Sequence, residues 1–254
     1  MSIEMKWTYS DSKRQLYGIE RKYSAKKRLL IFPHSGSGPS YYLKWLDYLP
    51  TDIEFWIINY PGREGRYMDP FATSIVELSK EIYQSVSELS SLPLYIFGHS
   101  LGAVVGFEVA RMHEINDGND LTKLIISSRS PRKLNNELKD SLLLPDKLFA
   151  CQVLSKYGGI SPEVINNDDF LELFIPIIKS DFNLLLDYEV KLKPKINTDL
   201  HAYFGENDKS FLETEINEWR DYTNKELFIN KFIGGHFYFQ NNLKEIVNEV
   251  MHIS

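Results

Sequence analysis

The sequence predicts an α/β domain in which a mostly parallel central sheet carries helices on both faces and is interrupted by a helical insertion. Apolar runs of strand length alternate with segments of helical period, which is the signature of βαβ units covered on both sides. The first two runs, Leu29 to Phe32 and Ile53 to Ile58, close on turn chemistry at Pro33 and at Asn59-Tyr60-Pro61-Gly62. From about 133 to 194 the strand signal vanishes, replaced by Leu- and Phe-rich helical pieces.

A helix is expected over about 74–90. Ser74 and Glu77 have the spacing of a capping box, and Ile75, Leu78, Ile82, Val86 and Leu89 share one face. Leu94 to Phe97 is the third strand, followed by Gly98-His99-Ser100-Leu101-Gly102 and a helical stretch from Ala103 to Glu114. Leu124 to Ile126 is the fourth. In the insertion Pro145, Pro162 and Pro176 are expected to break the helices. Strand character resumes at Leu200 to Phe204. A helix near Phe211 to Arg220, a strand from Leu227 to Phe232 and a last helix from about Leu243 to Met251 complete the order. Residues 1–254 are expected to form one domain, with the segment of about 133–194 as a lid.

Composition narrows the partners. The chain has 254 residues, 43% hydrophobic and 25% charged, the balance of a globular protein. Its 29 basic against 35 acidic residues give a charge of -6 and no basic stripe, so nucleic acid is not expected. Met1 to Tyr9 lacks a leader pattern, and no run approaches the roughly 18 apolar residues of a membrane span. Cys151 is the lone cysteine, which rules out an internal disulfide and fits a reducing, cytoplasmic compartment.

The chemistry concentrates at Gly98-x-Ser100-x-Gly102. Between a strand and a helix this spacing predicts a sharp elbow that presents the serine hydroxyl, with glycines leaving room for neighbouring backbone. The alternative is a turn whose serine only caps the helix. An elbow serine implies an oxyanion hole. One donor is the backbone N–H of Leu101; the second lies in the loop Phe32-Pro33-His34-Ser35-Gly36-Ser37-Gly38, where Ser35 is assigned and Gly36 competes.

Serine needs a base, and the base needs an orienting acid, in the chain order Ser, acid, His. His113 falls on the helix behind the elbow, His201 in a strand and His252 at the terminus. His236, in the loop Gly234-Gly235-His236-Phe237 after the last strand, is the candidate base. Asp208, after the strand ending at Phe204, is the candidate acid, with Glu206 as fallback. No metal or redox cofactor is needed for such a triad.

With Phe32-Pro33-His34-Ser35-Gly36, Tyr60-Pro61-Gly62-Arg63-Glu64, the Gly98 to Gly102 elbow and Gly234-Gly235-His236-Phe237, the chain resembles the type II thioesterases of nonribosomal peptide and polyketide synthetases. The likeness runs from about Leu29 to Phe239, and Asp187-Tyr188 and Trp219 also sit where similar residues recur. It implies an α/β-hydrolase fold and hydrolysis of acyl or aminoacyl thioesters from the phosphopantetheine arm of an acyl or peptidyl carrier protein; a monomer is expected. Ser35 departs from the usual alanine, which adds a hydroxyl beside the N–H. Arg63 and Arg66 are candidates to meet the carrier or the arm's phosphate, or else are solvated surface arginines. Phe149, Leu154, Phe170, Leu173, Phe174, Phe182 and Leu185 could line an acyl pocket or simply pack. A carboxylesterase on the same triad and a catalytically silent binding protein are the rival expectations.

Overall fold

A computed structural model describes residues 7–10, 13–21, 24–134, 136–159, 162–186 and 188–252. Residues 1–6, part of the stretch read for a leader, and Asp187 lie outside them. The strands are β1 (Thr8–Tyr9), β2 (Leu16–Ile19), β3 (Lys27–Phe32), β4 (Ile53–Ile58), β5 (Leu94–His99), β6 (Leu121–Ser127), β7 (Leu200–Gly205) and β8 (Leu227–Phe232). They form one sheet in the order β1-β2-β4-β3-β5-β6-β7-β8. From β4 to β8 every pairing is parallel, while β1 and β2 pair antiparallel at the edge. This is the expected α/β-hydrolase arrangement, with the six expected strands in place and two short ones added.

The helices are α1 (Pro39–Tyr42), α2 (Ile75–Ser87), α3 (Leu101–Ile115), α4 (Asn136–Ser141), α5 (Asp146–Tyr157), α6 (Pro162–Ile165), α7 (Asp168–Leu186), α8 (Glu213–Ile216) and α9 (Leu243–Met251). Ser74 Oγ accepts from the backbone N–H of Val76 and Glu77 at 3.2 and 3.4 Å, which is the serine's half of the expected box. The segment expected as a helix near Phe211 to Arg220 is instead the short α8 followed by 3-10 turns over Asn217–Tyr222.

Successive residues of the central strands enter different cores. Leu30, Phe32, Trp56 and Ile96 pack with Val104 and Phe107 of α3 and Ile82 of α2. Leu29, Ile31, Phe55 and Phe97 pack with Trp45 and with Val247 and Val250 of α9. A strand buried on both faces has no polar side, which is why these strands read as unbroken apolar runs.

The chain runs from β3 outward to β4 and then returns to the other side of β3 to lay down β5. The carboxyl ends of β3 and β5 therefore flank a reversal in strand order, the place where open α/β sheets leave a crevice. Between β6 and β7, α4 to α7 build a small core of their own around Phe149, Val153, Leu171, Ile175, Ile178 and Phe182. Pro176 does not break α7, contrary to expectation. It lies on the exposed face, where the carbonyl freed four residues back, at the exposed Glu172, can bond water, while buried Ile175, Ile177 and Ile178 hold the helix around it.

Gly102 sits where α3 crosses the end of β3. A Cβ there would lie 1.9 Å from the Phe32 carbonyl oxygen, whereas one at Gly106 would first meet side-chain atoms at 3.3 Å. Gly102→Ala is expected to lower the unfolding free energy by at least about 1–3 kcal/mol, the usual cost of overpacking. Gly106→Ala, which gains about 1 kcal/mol of helix propensity, should change it little. Urea denaturation of the two variants checks this.

Candidate active site

The elbow is strained where the chemistry would sit. Ser100 has φ 55° and ψ -113°, a conformation that non-glycine residues rarely adopt, and its side chain makes no capping bond to α3. The cap-only alternative is thereby excluded. The glycine spacing is steric: a Cβ at Gly98 would lie 2.2 Å from the Gly102 carbonyl oxygen, so helix and strand close on each other only without side chains. Ser100 N–H donates to Ser127 O at 2.9 Å, fixing the elbow to the end of β6.

His236 and Asp208 meet as expected. The imidazole Nδ1 lies 2.9 Å from Asp208 Oδ2, with the two side chains 4% and 0% exposed. Ser210 supports the carboxylate, donating to Oδ1 from its backbone N–H at 3.0 Å and its hydroxyl at 2.7 Å. Burial alone would raise the Asp208 pKa, but the bond and charge of His236 and the two bonds from Ser210 outweigh it and hold the carboxyl below its usual value. Glu206 is exposed and takes no part. Asn207 N–H donates to Gly234 O at 2.9 Å, and a Cβ on Gly205 would lie 2.2 Å from Gly235 O, so the acid and base loops touch through bare backbone. Ser128 Oγ donates to His236 O at 3.2 Å.

Ser100 and His236 line one cavity of about 250 Å³ together with Ser35 and Gly36. No hydrogen bond joins the hydroxyl and the imidazole among the described residues; in unliganded sites such bonds are often long and tighten with substrate. The backbone N–H of Gly36 is given to Asp181 Oδ2 at 2.8 Å, which leaves Ser35 as the loop residue with an uncommitted claim on an oxyanion. Leu101 opens α3, in the turn whose N–H groups have no intrahelical partner. The Ser35 hydroxyl is buried without a hydrogen-bond partner.

Arg63 and Arg66 are not docking residues. Arg63, buried, holds both carboxylate oxygens of Asp181 at 2.7 Å and donates to Ser37 O at 3.2 Å. Arg66 is tied to Asp69 at 2.7 Å and to Asn59 O at 3.3 Å. Of the pocket candidates, Phe170, Phe174 and Phe182 line the cavity, with the first two stacked at 4.2 Å. Phe149 and Leu185 are buried in cores, Leu173 is 53% exposed, and the Leu154 side chain lies outside the described residues. Asp181, Ser210 and Tyr157, whose ring lies 5.0 Å from that of His236, escaped the sequence reading. Asp181 had a signal: it is an acid on the apolar stripe of Ile177, Ile178, Leu184 and Leu185.

Two further imidazoles crowd the base. His99 lies 4.8 Å from His236 between ring centres, and His34 lies 5.7 Å from His99. Burial, then the neighbouring His236, holds His99 well below its ordinary value and His34 at about 3. Both are neutral at neutral pH.

Two outcomes follow from these contacts. Asp181→Ala strands a buried guanidinium and should cost about 3–5 kcal/mol of stability by urea denaturation. Because His34 titrates lower in the folded protein than in the unfolded chain, near 6.5, the unfolded state binds more protons between those values. Stability from this site is complete above about pH 6.5 and lost as pH falls toward 3. His34→Gln should flatten the fall by up to about 1.4 kcal/mol per pH unit in paired urea titrations.

Known proteins resemble the chain in sequence and in fold. The gramicidin S biosynthesis protein GrsT of Aneurinibacillus migulanus is 27% identical over 88% of this chain and 87% of its own length. The thioesterase PikA5 of Streptomyces venezuelae is 29% identical over 88% of this chain and 79% of its own. In fold, the chain matches the type II thioesterase BorB of the borrelidin biosynthetic cluster with a TM-score of 0.83 at 24% identity, over 96% of this chain and 98% of that one. The family model for the thioesterase domain matches residues 27–253, and the chain belongs to that family.

Proposed function

We propose that the chain is a type II thioesterase that hydrolyses acyl or aminoacyl thioesters on the phosphopantetheine arm of a carrier protein, clearing stalled or wrongly primed synthetase carriers. What carries this reading is the meeting of Ser100 with the His236–Asp208 pair at one cavity, in a chain of the thioesterase family whose relatives include a gramicidin S biosynthesis protein.

In the proposed cycle Asp208 accepts the Nδ1–H of His236, which leaves Nε2 as the base. Ser100 Oγ attacks the thioester carbonyl and passes its proton to Nε2. The oxyanion is held by the N–H groups of Ser35 and Leu101, each such donor being worth about 3 kcal/mol in the barrier. Collapse breaks the C–S bond, and His236 returns the proton to the departing sulfur. Water then repeats the sequence on the acyl-serine: His236 takes its proton, the acid is released and Ser100 recovers its hydrogen. The helical segment of about 133–194 acts as a lid within a single domain, since Phe170, Phe174 and Phe182 wall the acyl side. Among the described residues no helix is long and apolar enough to cross a membrane, and the exposed free Cys151 suits a reducing compartment such as the cytoplasm.

The test is turnover of an acyl carrier protein against a matched small oxygen ester, with fluorophosphonate labelling alongside. Ser100→Ala should abolish labelling and turnover. Asp208→Asn should lower kcat by about 10⁴-fold, as loss of the correct tautomer does in such triads. A preference for the oxygen ester would refute the carrier reading, and a wild-type chain that takes no label would favour a silent binding protein.

A further inference from the structure

The loop after β3 is held by side chains that the proposed cycle does not use. Ser37 N–H donates to His34 O at 3.1 Å, and Gly36 has φ 81°, so residues 34–37 form a turn of type II. In that form the Ser35–Gly36 peptide faces the side opposite to the one it faces in a type I turn. Glycine adopts either form, so the local sequence leaves the direction of this peptide open. An acceptor placed against one side closes it. Asp181 Oδ2, on α7, takes the Gly36 N–H at 2.8 Å.

Two further bonds hold the ends of the same turn. The Tyr60 hydroxyl donates to Pro33 O and Arg63 Nη1 donates to Ser37 O, each at 3.2 Å. The three side chains form one buried stack, in which the Arg63 guanidinium lies 5.4 Å from the centre of the Tyr60 ring and grips both oxygens of Asp181 at 2.7 Å. Pro33 O, Gly36 N–H and Ser37 O are thereby committed, while the Ser35 N–H makes no hydrogen bond among the described residues. α7 also presses on the turn directly. A Cβ on Gly36 would lie 2.5 Å from Cγ1 of Ile178, three residues before Asp181.

A buried ion pair is weak ground for stability, since apolar residues of like volume often replace one without loss. What they do not supply is an acceptor for the Gly36 N–H. We infer that Asp181 is a positioning residue of the hydrolytic cycle: from α7 it holds the Ser35–Gly36 peptide so that the Ser35 N–H stays directed at the oxyanion, with Arg63 and Tyr60 completing the clamp. The inference rests on the serine-hydrolase part of the proposed function and adds a condition to it. α7, which carries Phe170, Phe174 and Phe182 of the cavity wall, must be seated on the loop for the oxyanion to be stabilised. The oxyanion exists only after attack, so loss of the clamp falls on kcat and leaves KM nearly unchanged.

The test compares two double variants that both remove the ion pair and differ in one acceptor. Arg63→Met with Asp181→Asn keeps a side-chain carbonyl for the Gly36 N–H; Arg63→Met with Asp181→Leu does not. Active sites are counted by fluorophosphonate labelling of Ser100 taken to completion, so unfolded enzyme drops out of kcat. The Leu pair should turn over a carrier thioester about tenfold to 100-fold more slowly than wild type, the cost of a small misplacement and less than that of losing an oxyanion donor outright, with KM within about twofold. The Asn pair should exceed the Leu pair by at least about fivefold in kcat, recovering part of that loss. Affinity for an alkyl boronic acid, whose serine adduct is tetrahedral, should fall with kcat, while affinity for a thioether analogue lacking the carbonyl should hold. Equal kcat in the two pairs, a wild-type kcat in the Leu pair, or a change confined to KM overturns the inference. If neither pair folds, amide hydrogen exchange of the wild type decides: Gly36 N–H should exchange no faster than the amides of α7, and free exchange at Gly36 beside a protected α7 overturns the clamp. Should wild type hydrolyse only an oxygen ester, the carrier reading falls and the clamp is judged on that ester; a chain that hydrolyses neither loses both.

Discussion

The structure turns on one close approach of backbone to backbone. Where α3 leaves β5 and crosses the end of β3, there is no space for a Cβ at Gly98 or Gly102, and Ser100 between them is held at positive φ. A strained residue persists only when its surroundings over-determine it. Here they do: Ser100 N–H is bonded to β6, Ser128 N–H to Tyr203 O of β7 at 2.8 Å, and Ser128 Oγ to the carbonyl of His236. A chain of short bonds thus runs along the carboxyl rim from elbow to base. Because all the central strands are parallel, their carboxyl ends share that rim, and residues more than a hundred positions apart reach it without a long loop.

The same rim is tied upward into the helical segment by a buried ion pair. Asp181 of α7 holds Arg63 from the loop after β4 and the N–H of Gly36 from the loop after β3. Removing such a pair whole is often neutral for stability, so its presence is weak ground for a stabilising role. Its geometry points to position: one carboxylate occupies the Gly36 N–H and holds Arg63, so it couples α7, which carries Phe170, Phe174 and Phe182 of the cavity wall, to the loop after β3. Movement of α7 would be felt at Gly36.

How much of this the sequence discloses follows from what each element buries. Five of the six parallel strands are legible because both faces are buried and their runs are largely apolar, while the edge strand β8, Leu227–Phe232, is mostly exposed and is betrayed only by its alternating apolar residues. β1 and β2 are not legible, since they have only two and four residues. The convergence of Ser100, Asp208 and His236 is legible because each follows a strand that ends on the same edge of the sheet. Arg63 and Arg66 mislead because a single sequence does not tell a solvated arginine from one whose acid, 118 residues away in the case of Arg63, arrives on another element. Pro176 misleads because proline's missing donor matters only where its carbonyl partner is dry.

Three imidazoles in a row, His34 beside His99 and His99 beside His236, raise an electrostatic question at the candidate site. The proposed cycle makes His236 transiently cationic, and a second positive ring at about 5 Å would oppose that by about 3 kcal/mol at an effective dielectric of 20. His99 is the ring at that distance, and His34 stands behind it, 5.7 Å from His99. Both are kept neutral, His99 by complete burial on β5 with Nδ1 bonded to Ser127 Oγ at 2.8 Å, His34 by burial against the Tyr42 hydroxyl at 2.8 Å. The packing that excludes water from His34 and His99 therefore keeps both rings uncharged beside the one imidazole, His236, that is bonded to a carboxylate, Asp208.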